Sequence, residues 1–246
     1  MLLSNIKDHF GRRAQKYESS AQWVKDEGLL KVIKELAGTS DKDYVLDVAT
    51  GTGIISQLFF KKTKLVVGLD ATEAMYRQSL SKLNFMVCGQ AECLPFRDNS
   101  FDLVVCRQGL QFMDASSVAR QMHRVCKDRG RIILVQLVAF GIKDKEYAFK
   151  IQMARQPVRA NCFLEEDLVN LLKGAGCKKI RDYHYFSYES VNEWINNGAL
   201  PLKRQEEIKR LYHEAPSQFR KIHELKFAGT DIIDKMKIAI VCGHKN

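Results

Sequence analysis

Two glycines between an apolar strand and a helix are the first feature of the sequence that indicates ligand chemistry. Residues 45–53 read VLDVATGTG, with Gly51 and Gly53 in the turn. Glycine adopts positive φ readily and lets the backbone approach a ligand closely. Dinucleotide-binding proteins share this pattern, but they place a third glycine three residues later, under a pyrophosphate, and Ser56 stands there. The turn therefore predicts a ligand site that is not built for pyrophosphate.

Two aspartates at strand ends add a charge pattern to this turn. Asp47 precedes Gly51 by four residues, and Asp70 follows Gly53 by 17 residues. Asp47 would repel a pyrophosphate but could attract an ammonium group, directly or through water, and Asp70 is placed to accept hydrogen bonds from both ribose hydroxyls. Either acid alone could instead cap a helix. Together they favour a ligand that is cationic at one end, carries a ribose and lacks phosphate, and S-adenosylmethionine is such a ligand.

The elements that must position these residues alternate through the first 140 positions. The predicted strands are Tyr44–Ala49, Leu65–Asp70, Phe85–Cys88, Leu103–Arg107 and Arg131–Val138. The predicted helices between them are Ile54–Lys62, Glu73–Leu83 and Ser116–Lys127. Apolar strands without polar alternation, separated by helices, indicate a parallel sheet that is covered on both faces. The expected fold is therefore a doubly wound α/β fold.

The order of elements changes after Val138. The sequence predicts a helix at Phe163–Lys173, a strand at Ile180–Tyr188 and a final strand at Met236–Cys242. Residues 190–225, between the last two strands, are rich in Glu, Lys, Arg and Leu and predict two or three inserted helices.

Several sequence blocks carry a family resemblance. They are DVATGTG at 47–53, GLDATEAM at 68–75, GQAECLPF at 89–96, DNSFD at 98–102, RQGLQF at 107–112 and MHRVCK at 122–127. In this order they resemble the class I S-adenosylmethionine-dependent methyltransferases, in the small-molecule branch with the ubiquinone/menaquinone-biosynthesis and malonyl-carrier enzymes. HFGRRAQKY at 9–17 resembles the lid segment of that branch. Beyond residue 138 the resemblance holds only in outline.

The resemblance implies a domain organisation and a set of cofactor contacts. It implies a Rossmann-like, mostly parallel seven-stranded sheet in residues 41–189 and 226–246, an N-terminal helical lid in 1–40, and a helical insertion over the substrate pocket in 190–225. Asp47, Gly51 and Gly53 would line the methionine end of the cofactor, and Asp70 would hold the ribose. The further implied cofactor residues are Tyr17, Ala49, Ala71, Met75, Gln90, Ala91, Glu92, Arg107 and Gln111.

Individual roles follow from the same resemblance. Met75 would pack on the adenine ring, Gln90 and Ala91 would meet the adenine edge, and Tyr17 would close over the cofactor carboxylate. The family usually has Asp in place of Gln90, but a Gln carbonyl can still accept a hydrogen bond from the exocyclic amine. Arg107 would lie at the carboxyl edge of the sheet, where ligands bind in such folds.

A general base is needed only where the methyl acceptor carries a proton to be removed. We expect His184 and Tyr185 to be the best candidates, because their segment should reach the rim of the pocket. The other candidates are His9, His123, His213, His223 and His244, most of which we expect at surface or structural positions.

Three functions fit these patterns: a small-molecule methyltransferase, a nucleic-acid (RNA) methyltransferase and a non-catalytic S-adenosylmethionine-binding protein. Base amino-group methylation usually accompanies an Asn/Asp-Pro-Pro-Tyr/Phe strand end, whereas residues 105–108 read VCRQ. Pyrimidine C5 methylation usually uses a Pro-Cys nucleophile, and the sequence has no such dipeptide. The sequence therefore favours a small-molecule acceptor over nucleic acid.

Composition sets the remaining expectations. The 39 Lys and Arg residues exceed the 29 Asp and Glu residues by +10, and the excess is spread along the chain. Such spreading predicts a solvated basic surface, or a surface that attracts an anionic small substrate. It does not favour a concentrated row of basic residues along a nucleic-acid backbone. The seven cysteines form no CxxC pair, so neither a disulfide framework nor a metal site is predicted. No signal peptide or membrane span is expected, a cytoplasmic location is the prediction, and the oligomeric state stays open.

Overall fold

Eight β-strands form one mixed sheet in the computed structural model, which describes residues 2–19 and 21–246. The strands are β1 (Tyr44–Val48), β2 (Leu65–Asp70), β3 (Phe85–Cys88), β4 (Phe101–Arg107), β5 (Cys126–Val138), β6 (Lys178–Ser190), β7 (Lys226–Ala228) and β8 (Asp231–His244). Their order is β3-β2-β1-β4-β5-β8-β6, with β7 paired to β8 beside this path. Strands β1 to β5 are parallel, and β8 is antiparallel to β5 and β6. The predicted fold is confirmed, and the short β7 adds an eighth strand to the seven predicted.

Helices cover both faces of the sheet. They are α1 (Leu2–Arg13), α2 (Glu27–Ala37), α3 (Ile54–Phe59), α4 (Glu73–Tyr76), α5 (Ala115–Val125), α6 (Lys145–Arg155), α7 (Glu165–Gly174), α8 (Val191–Ile195), α9 (Leu202–His213) and α10 (Ser217–Ile222).

Successive residues of β1 face opposite sides of the sheet, which explains why the parallel strands are apolar throughout. Val45 lies in one core with Leu29 and Ile33 of α2, and Leu46 lies in a second core with Met122 of α5. All five side chains are completely buried. Burying a side chain of this size contributes about 1.5–3 kcal/mol. The two cores therefore hold the parallel strands rigidly, and with them the carboxyl edge of the sheet.

The helix predicted at Glu73–Leu83 is wrong in length, because α4 ends at Tyr76. The backbone N–H groups of Ser79 and Lys82 donate to carbonyls three residues earlier, at 2.8 and 2.7 Å, so the chain continues in tight turns. These turns bury Ser79 against the backbone of Gly53. Apolar spacing alone gives no sign of such a contact.

Helix α6 has no counterpart among the predicted elements. Its buried side chains are Ala148, Ile151, Gln152 and Arg155, so half of its buried face is polar. A helix of this kind lacks the apolar stripe by which amphipathic helices are found in a sequence.

The predicted insertion at 190–225 contains α8, α9 and α10. Trp194, Tyr212 and Phe219 from these helices are buried in the same core as α2. In the predicted N-terminal segment at 1–40, Met1 and Ser20 lie outside the described residues. The division into lid, core and insertion stays a prediction.

The seven cysteines carry free thiols. Across residues 2–19 and 21–246, His, Cys, Asp and Glu side chains form no group of three or more that could hold a metal ion. In the same residues, no helix combines the length and the apolar character needed to cross a membrane.

A buried ionic cluster links the insertion to the sheet. His223, just after α10, lies with Nδ1 2.8 Å from Asp234 Oδ1 and with Nε2 3.1 Å from Asp144 Oδ2. The Tyr212 hydroxyl donates to Asp234 Oδ2 at 2.7 Å. Burial opposes the charged form of His223, but the two carboxylates outweigh it and raise the pKa of this histidine to about 9. His223 is therefore a structural cation that joins α10, β8 and the residue preceding α6.

Candidate functional site

A cavity of about 300 Å³ lies where β1, β2 and β4 end. This is the carboxyl edge of the parallel strands, where ligands bind in doubly wound folds. Of the predicted cofactor residues, the cavity brings together Tyr17, Ala49, Gly51, Asp70, Ala71, Met75, Gln90, Ala91, Glu92 and Arg107. The predicted residues Asp47, Gly53 and Gln111 lie outside its lining.

Asp47 binds the first turn of α3, which directly follows the glycine turn. It is buried, and its Oδ2 accepts hydrogen bonds from the Ser56 backbone N–H at 3.0 Å and from Ser56 Oγ at 2.7 Å. The pKa of Asp47 is raised to about 7, mainly by burial, with the bonds from Ser56 acting against the rise and the charge of Asp70 adding to it. Asp47 therefore fixes the start of α3, and Ser56 serves this contact where dinucleotide-binding proteins have glycine.

Gly53 has a packing role as well. Its φ is +79°, and a Cβ added here would lie 2.7 Å from Ser79 Cβ. Only glycine satisfies both the left-handed backbone and this close approach. Gly53 thus locks the turn against the segment after α4 and leaves Gly51 to face the cavity.

Replacing Asp47 with alanine should lower the free energy of unfolding by about 1–3 kcal/mol, because the buried Ser56 donors lose their acceptor. Asp47→Asn is the matched control, since its amide oxygen can accept both bonds without a charge. With a wild-type pKa of about 7, the neutral variant should equal or exceed wild-type stability at pH 8. Urea denaturation at pH 8 checks both variants, and an asparagine variant as unstable as the alanine variant would contradict the positioning role.

Asp70 joins the glycine turn to the end of β2 and faces the cavity. Its Oδ2 accepts from the Gly51 backbone N–H at 2.9 Å, and its Oδ1 accepts from the Thr72 backbone N–H at 2.8 Å. Burial raises the pKa of Asp70, and these two backbone donors act against the rise. Each carboxylate oxygen can accept at least one further hydrogen bond. The geometry is thus a fixed acceptor pair suited to a vicinal diol.

One end of the cavity is mainly apolar. Met75 and Ala91 are buried in its wall, and Gln90 and Glu92 add polar groups beside them. Glu92 is positioned by the backbone N–H of Asp114, which donates to its Oε1 at 3.2 Å. This combination can hold a flat heteroaromatic ring on apolar side chains with polar groups at its edge.

Helix α1 and the segment after it cover part of the cavity, and Ile6, Phe10 and Tyr17 belong to its lining. Phe10 of α1 meets Phe112 edge to face, with ring centroids 4.9 Å apart. Gln78 Nε2 donates to the Ala14 carbonyl at 2.7 Å and ties the cover to the segment after α4. The lining residues that sequence reasoning missed are Ile6, Phe10, Leu69, Thr72, Gly89, Gln108, Gly109, Phe112 and Met113. All except Ile6 belong to or adjoin the sequence blocks that carry the resemblance. Their position in or next to these blocks is the feature of the sequence from which they could have been predicted.

Arg107 lines the cavity at the end of β4. Its Nη2 donates to the carbonyls of Trp23 and Val24, at 2.7 and 3.2 Å, and its guanidinium carbon lies 5.1 Å from the centre of the Trp23 ring. Burial lowers the pKa of Arg107, partly offset by Tyr17, Asp47 and Asp26. Arg107 therefore fastens the segment before α2 to the edge of the cavity.

Gln111 lines a narrower space beside the cavity, which we call the inner chamber. This chamber has a volume of about 20 Å³ and is lined by Phe10, Arg13, Tyr17, Trp23, Gln108, Gln111, Phe112, Leu137, Arg155, Gln156, Arg159 and Trp194. Gln111 Oε1 accepts from Gln136 Nε2 at 2.7 Å. Phe10, Tyr17, Gln108 and Phe112 line both spaces, so the cavity and the inner chamber adjoin.

The positions of His184 and Tyr185 do not support their predicted catalytic role. Both lie on β6, which is the edge strand at the end of the sheet beyond β8, and neither lines the cavity or the inner chamber. His184 is exposed, with Nδ1 3.9 Å from Glu165. The Tyr185 hydroxyl donates to Asp26 Oδ1 at 2.8 Å and thereby joins β6 to the N-terminus of α2.

Comparison with known proteins identifies the family. A family model described as a methyltransferase domain matches residues 46–134, which include the glycine turn and Asp70. The demethylmenaquinone methyltransferase of Thermotoga maritima is 31% identical over 154 residues, 58% of this chain and 67% of that protein. The chain belongs to the class I S-adenosylmethionine-dependent methyltransferases.

Other relatives of this methyltransferase agree. An uncharacterized methyltransferase of Bacillus subtilis, YcgJ, is 28% identical over 213 residues, 81% of this chain and 82% of that protein. Its crystal structure matches with a TM-score of 0.82 at 23% identity, covering 88% of this chain and 97% of that one. These likenesses confirm the predicted fold, and family membership makes S-adenosylmethionine the methyl donor of the enzyme.

The residues of the cavity fit this cofactor. Asp70 offers two acceptors with spare capacity beside the Gly51 backbone. Gly109 also lines the cavity, and a Cβ added here would lie 2.6 Å from Ala49 Cβ, so only glycine leaves this part of the lining undisturbed. The volume of about 300 Å³ lies at the lower end of the range for small-molecule pockets.

Proposed function

We propose that this methyltransferase transfers a methyl group to a small-molecule acceptor whose reacting end lies where the cavity and the inner chamber meet. The observation that carries the proposal is the narrow chamber beside the cofactor cavity, which is lined mainly by buried side chains and shares walls with the cavity at Phe10, Tyr17, Gln108 and Phe112. A narrow, buried space suits a small molecule, whereas a polymer such as RNA needs an open, positively charged groove.

Under this proposal Asp70 would hold the ribose hydroxyls of the cofactor, Met75 and Ala91 the adenine, and Gln90 its polar edge. Tyr17 would lie over the methionine carboxylate. Bound S-adenosylmethionine supplies an electrophilic methyl group on a sulfonium. The protein then has to orient the acceptor and exclude water, and orientation alone can supply a large part of the rate enhancement.

The residues lining the junction support positioning as the main contribution. The aromatic pair Phe10 and Phe112 shields it from water, and the amides of Gln108 and Gln111 lie beside it. Among the described residues that line either space, there is no histidine. We therefore propose that an acceptor group that is already nucleophilic attacks the methyl, without a histidine base.

The predicted insertion at 190–225 is part of the proposed acceptor site. Trp194 of α8 lines the inner chamber, and α6 adds Arg155. In our proposal, residues 41–189 and 226–246 bind the cofactor, α1 covers it, and α6 with the insertion encloses the acceptor.

Methyl-labelled S-adenosylmethionine tests the proposed acceptor class. The purified enzyme is incubated with the labelled cofactor and, in parallel, with a small-metabolite extract, with total RNA or with protein. We expect label in the small-metabolite arm and none above background with RNA or protein. Label only in RNA would contradict the small-molecule acceptor, and cofactor binding without transfer in any arm would contradict the enzymatic function.

A further inference from the structure

Three arginines in the wall of the inner chamber are buried without a carboxylate partner. They are Arg13 of α1, Arg155 at the end of α6 and Arg159 in the loop that follows. Each is at most 6% exposed, and within the described residues none forms an ion pair with an acid. Removing a charge from water without a counter-charge costs several kcal/mol, so such groups are normally paired. The three guanidinium groups therefore need an explanation.

The existing contacts of these arginines leave donors unused. Arg155 Nε donates to the Trp194 carbonyl at 2.9 Å. Arg159 Nη2 donates to Gln156 Oε1 at 2.9 Å, its Nη1 donates to the Asn161 carbonyl at 3.2 Å, and the Cys162 thiol interacts with this guanidinium. Arg13 Nε, Arg155 Nη2 and Arg159 Nε have no hydrogen-bond partner among the described residues, although each is buried. Buried donors of this kind are rare in folded proteins, because each costs about 1–3 kcal/mol when left unpaired.

Among the described residues that line the chamber, the other unpaired groups are donors too. The indole N–H groups of Trp23 and Trp194 are buried without a partner in the described residues. The guanidinium carbon of Arg155 lies 4.3 Å from the centre of the Trp194 ring, so the face of the ring stabilises the cation. This contact leaves Arg155 Nη2 without a hydrogen-bond partner in the described residues. A chamber wall rich in unpaired donors is chemically complementary to a group that only accepts hydrogen bonds and carries negative charge.

Glu189, an acid that interacts with Arg155, cannot meet this need. Glu189 is close enough for the charge of Arg155 to influence its pKa. However, its Oε1 accepts a hydrogen bond from the backbone N–H of Trp23 at 2.8 Å, and its Oε2 accepts one from the backbone N–H of Gln22 at 2.7 Å. The Ser187 hydroxyl also donates to Oε1. Glu189 is thus committed to the segment before α2.

The arginines also repel one another, and this repulsion again favours binding of an anion between them. Burial lowers the pKa of Arg155 well below its usual range, and the charges of Arg13 and Arg159 lower it further. Burial also lowers the pKa of Arg159 to about 10. An anion in the chamber would offset both the desolvation of the arginines and their mutual repulsion.

We propose that Arg13, Arg155 and Arg159 form an oxyanion subsite that binds a carboxylate or phosphate group of the methyl acceptor. This inference rests on the proposed function and adds a substrate class to it: a small molecule with an oxyanion at one end and a methyl-accepting group at the other. The guanidinium fork matches both oxyanions geometrically. Because the chamber adjoins the cofactor cavity, an anchored oxyanion would direct the remainder of the acceptor toward the methyl group.

Access to the subsite involves α1. The chamber volume of about 20 Å³ accommodates little more than one water molecule. Phe10 and Arg13 of α1 contribute to its wall, so an oxyanion can enter only if residues of the wall move.

Direct binding to the full-length protein, saturated with S-adenosylhomocysteine, tests the proposal without requiring turnover. The probes are benzoate and phenyl phosphate as the two oxyanions and benzamide as the uncharged isostere of benzoate, titrated by calorimetry at constant ionic strength. We expect at least one oxyanion to bind at least tenfold more tightly than benzamide, and the preferred probe separates a carboxylate site from a phosphate site. Equal or weaker binding of both oxyanions would overturn the proposal.

Variants locate the site. Arg155→Met and Arg13→Met, on different helices, should each weaken binding of the preferred oxyanion at least tenfold and leave benzamide binding unchanged. Arg210→Met, on the exposed face of α9, is the matched control and should bind like wild type. If either folded chamber variant keeps wild-type oxyanion affinity, the assignment is wrong. Oxyanion binding without methyl transfer would refute the proposed function alone, and transfer without oxyanion binding would refute this inference alone.

Discussion

Replacing Asp70 with alanine is expected to weaken S-adenosylmethionine binding by ten- to a hundredfold. The carboxylate faces the cavity and is held by the backbone N–H groups of Gly51 and Thr72. A charge-assisted hydrogen bond contributes about 1.5–3 kcal/mol, and each 1.4 kcal/mol corresponds to about tenfold in affinity. The loss should therefore be visible even if only one ribose hydroxyl bond is removed.

Titration calorimetry with S-adenosylmethionine measures this effect. Asp128→Ala is the control, because it removes the same charge from an exposed side chain near the start of β5. It should retain wild-type affinity, since the site is distant and surface charges are screened by salt. Wild-type affinity in the Asp70 variant would show that the ribose does not bind to this carboxylate.

Replacing His223 with leucine is expected to lower the free energy of unfolding by about 3–5 kcal/mol at pH 7. The histidine lies between Asp144 and Asp234, and all three side chains are buried. Removing the cation leaves two carboxylates facing each other without compensation, and losing one partner of a buried ion pair has a cost of this size.

The pH dependence of this contribution has a defined sign. The pKa of His223 is raised from 6.5 to about 9 by the folded state. Its stabilisation is therefore fully present below pH 6.5 and is lost as the pH rises through 9, with a total of about 3 kcal/mol. Urea denaturation between pH 6 and pH 9.5 should show this loss in wild type and a smaller one in His223→Leu.

Two controls make the test specific. His213→Leu removes an exposed histidine from the end of α9 and should change stability little. The triple variant with His223→Leu, Asp144→Asn and Asp234→Asn removes the cation and both anions and should recover part of the lost stability. A His223→Leu variant that is as stable as His213→Leu at pH 7 would contradict the assigned charge of this cluster.

The sequence predicts the central elements well because their signals are local. The bounds of β2 and β3 agree with the prediction at both ends, since each strand is a short apolar run bounded by polar or turn residues. Asp70 could also be placed in the cavity, because the carboxyl ends of adjacent parallel strands meet at one edge of the sheet.

Features that depend on three-dimensional partners leave no signal in the local sequence. Asp47 has the right position to face a ligand, but only the fold shows that Ser56 turns it toward α3. His184 and Tyr185 follow a plausible strand pattern, but the order of strands puts β6 at the far edge of the sheet. No local pattern predicts that Asp144 and Asp234, 90 residues apart, meet at His223.

Helix α6 illustrates the same limit at the acceptor site. Its buried face includes Gln152 and Arg155, which weaken the apolar periodicity on which helix prediction depends. Arg155 lines the inner chamber, and Gln152 lies beside it. The polar residues that form the proposed site are therefore the same ones that prevent the helix from being predicted from its sequence.

A crystal structure of the enzyme with S-adenosylhomocysteine would show where the cofactor binds. We predict that the ribose hydroxyls bind Asp70, that the adenine packs on Met75 next to Gln90, and that the sulfur faces the junction with the inner chamber at Phe112. A ribose bound away from Asp70, or a sulfur facing away from the inner chamber, would contradict both the cofactor assignment and the proposed path of the methyl group.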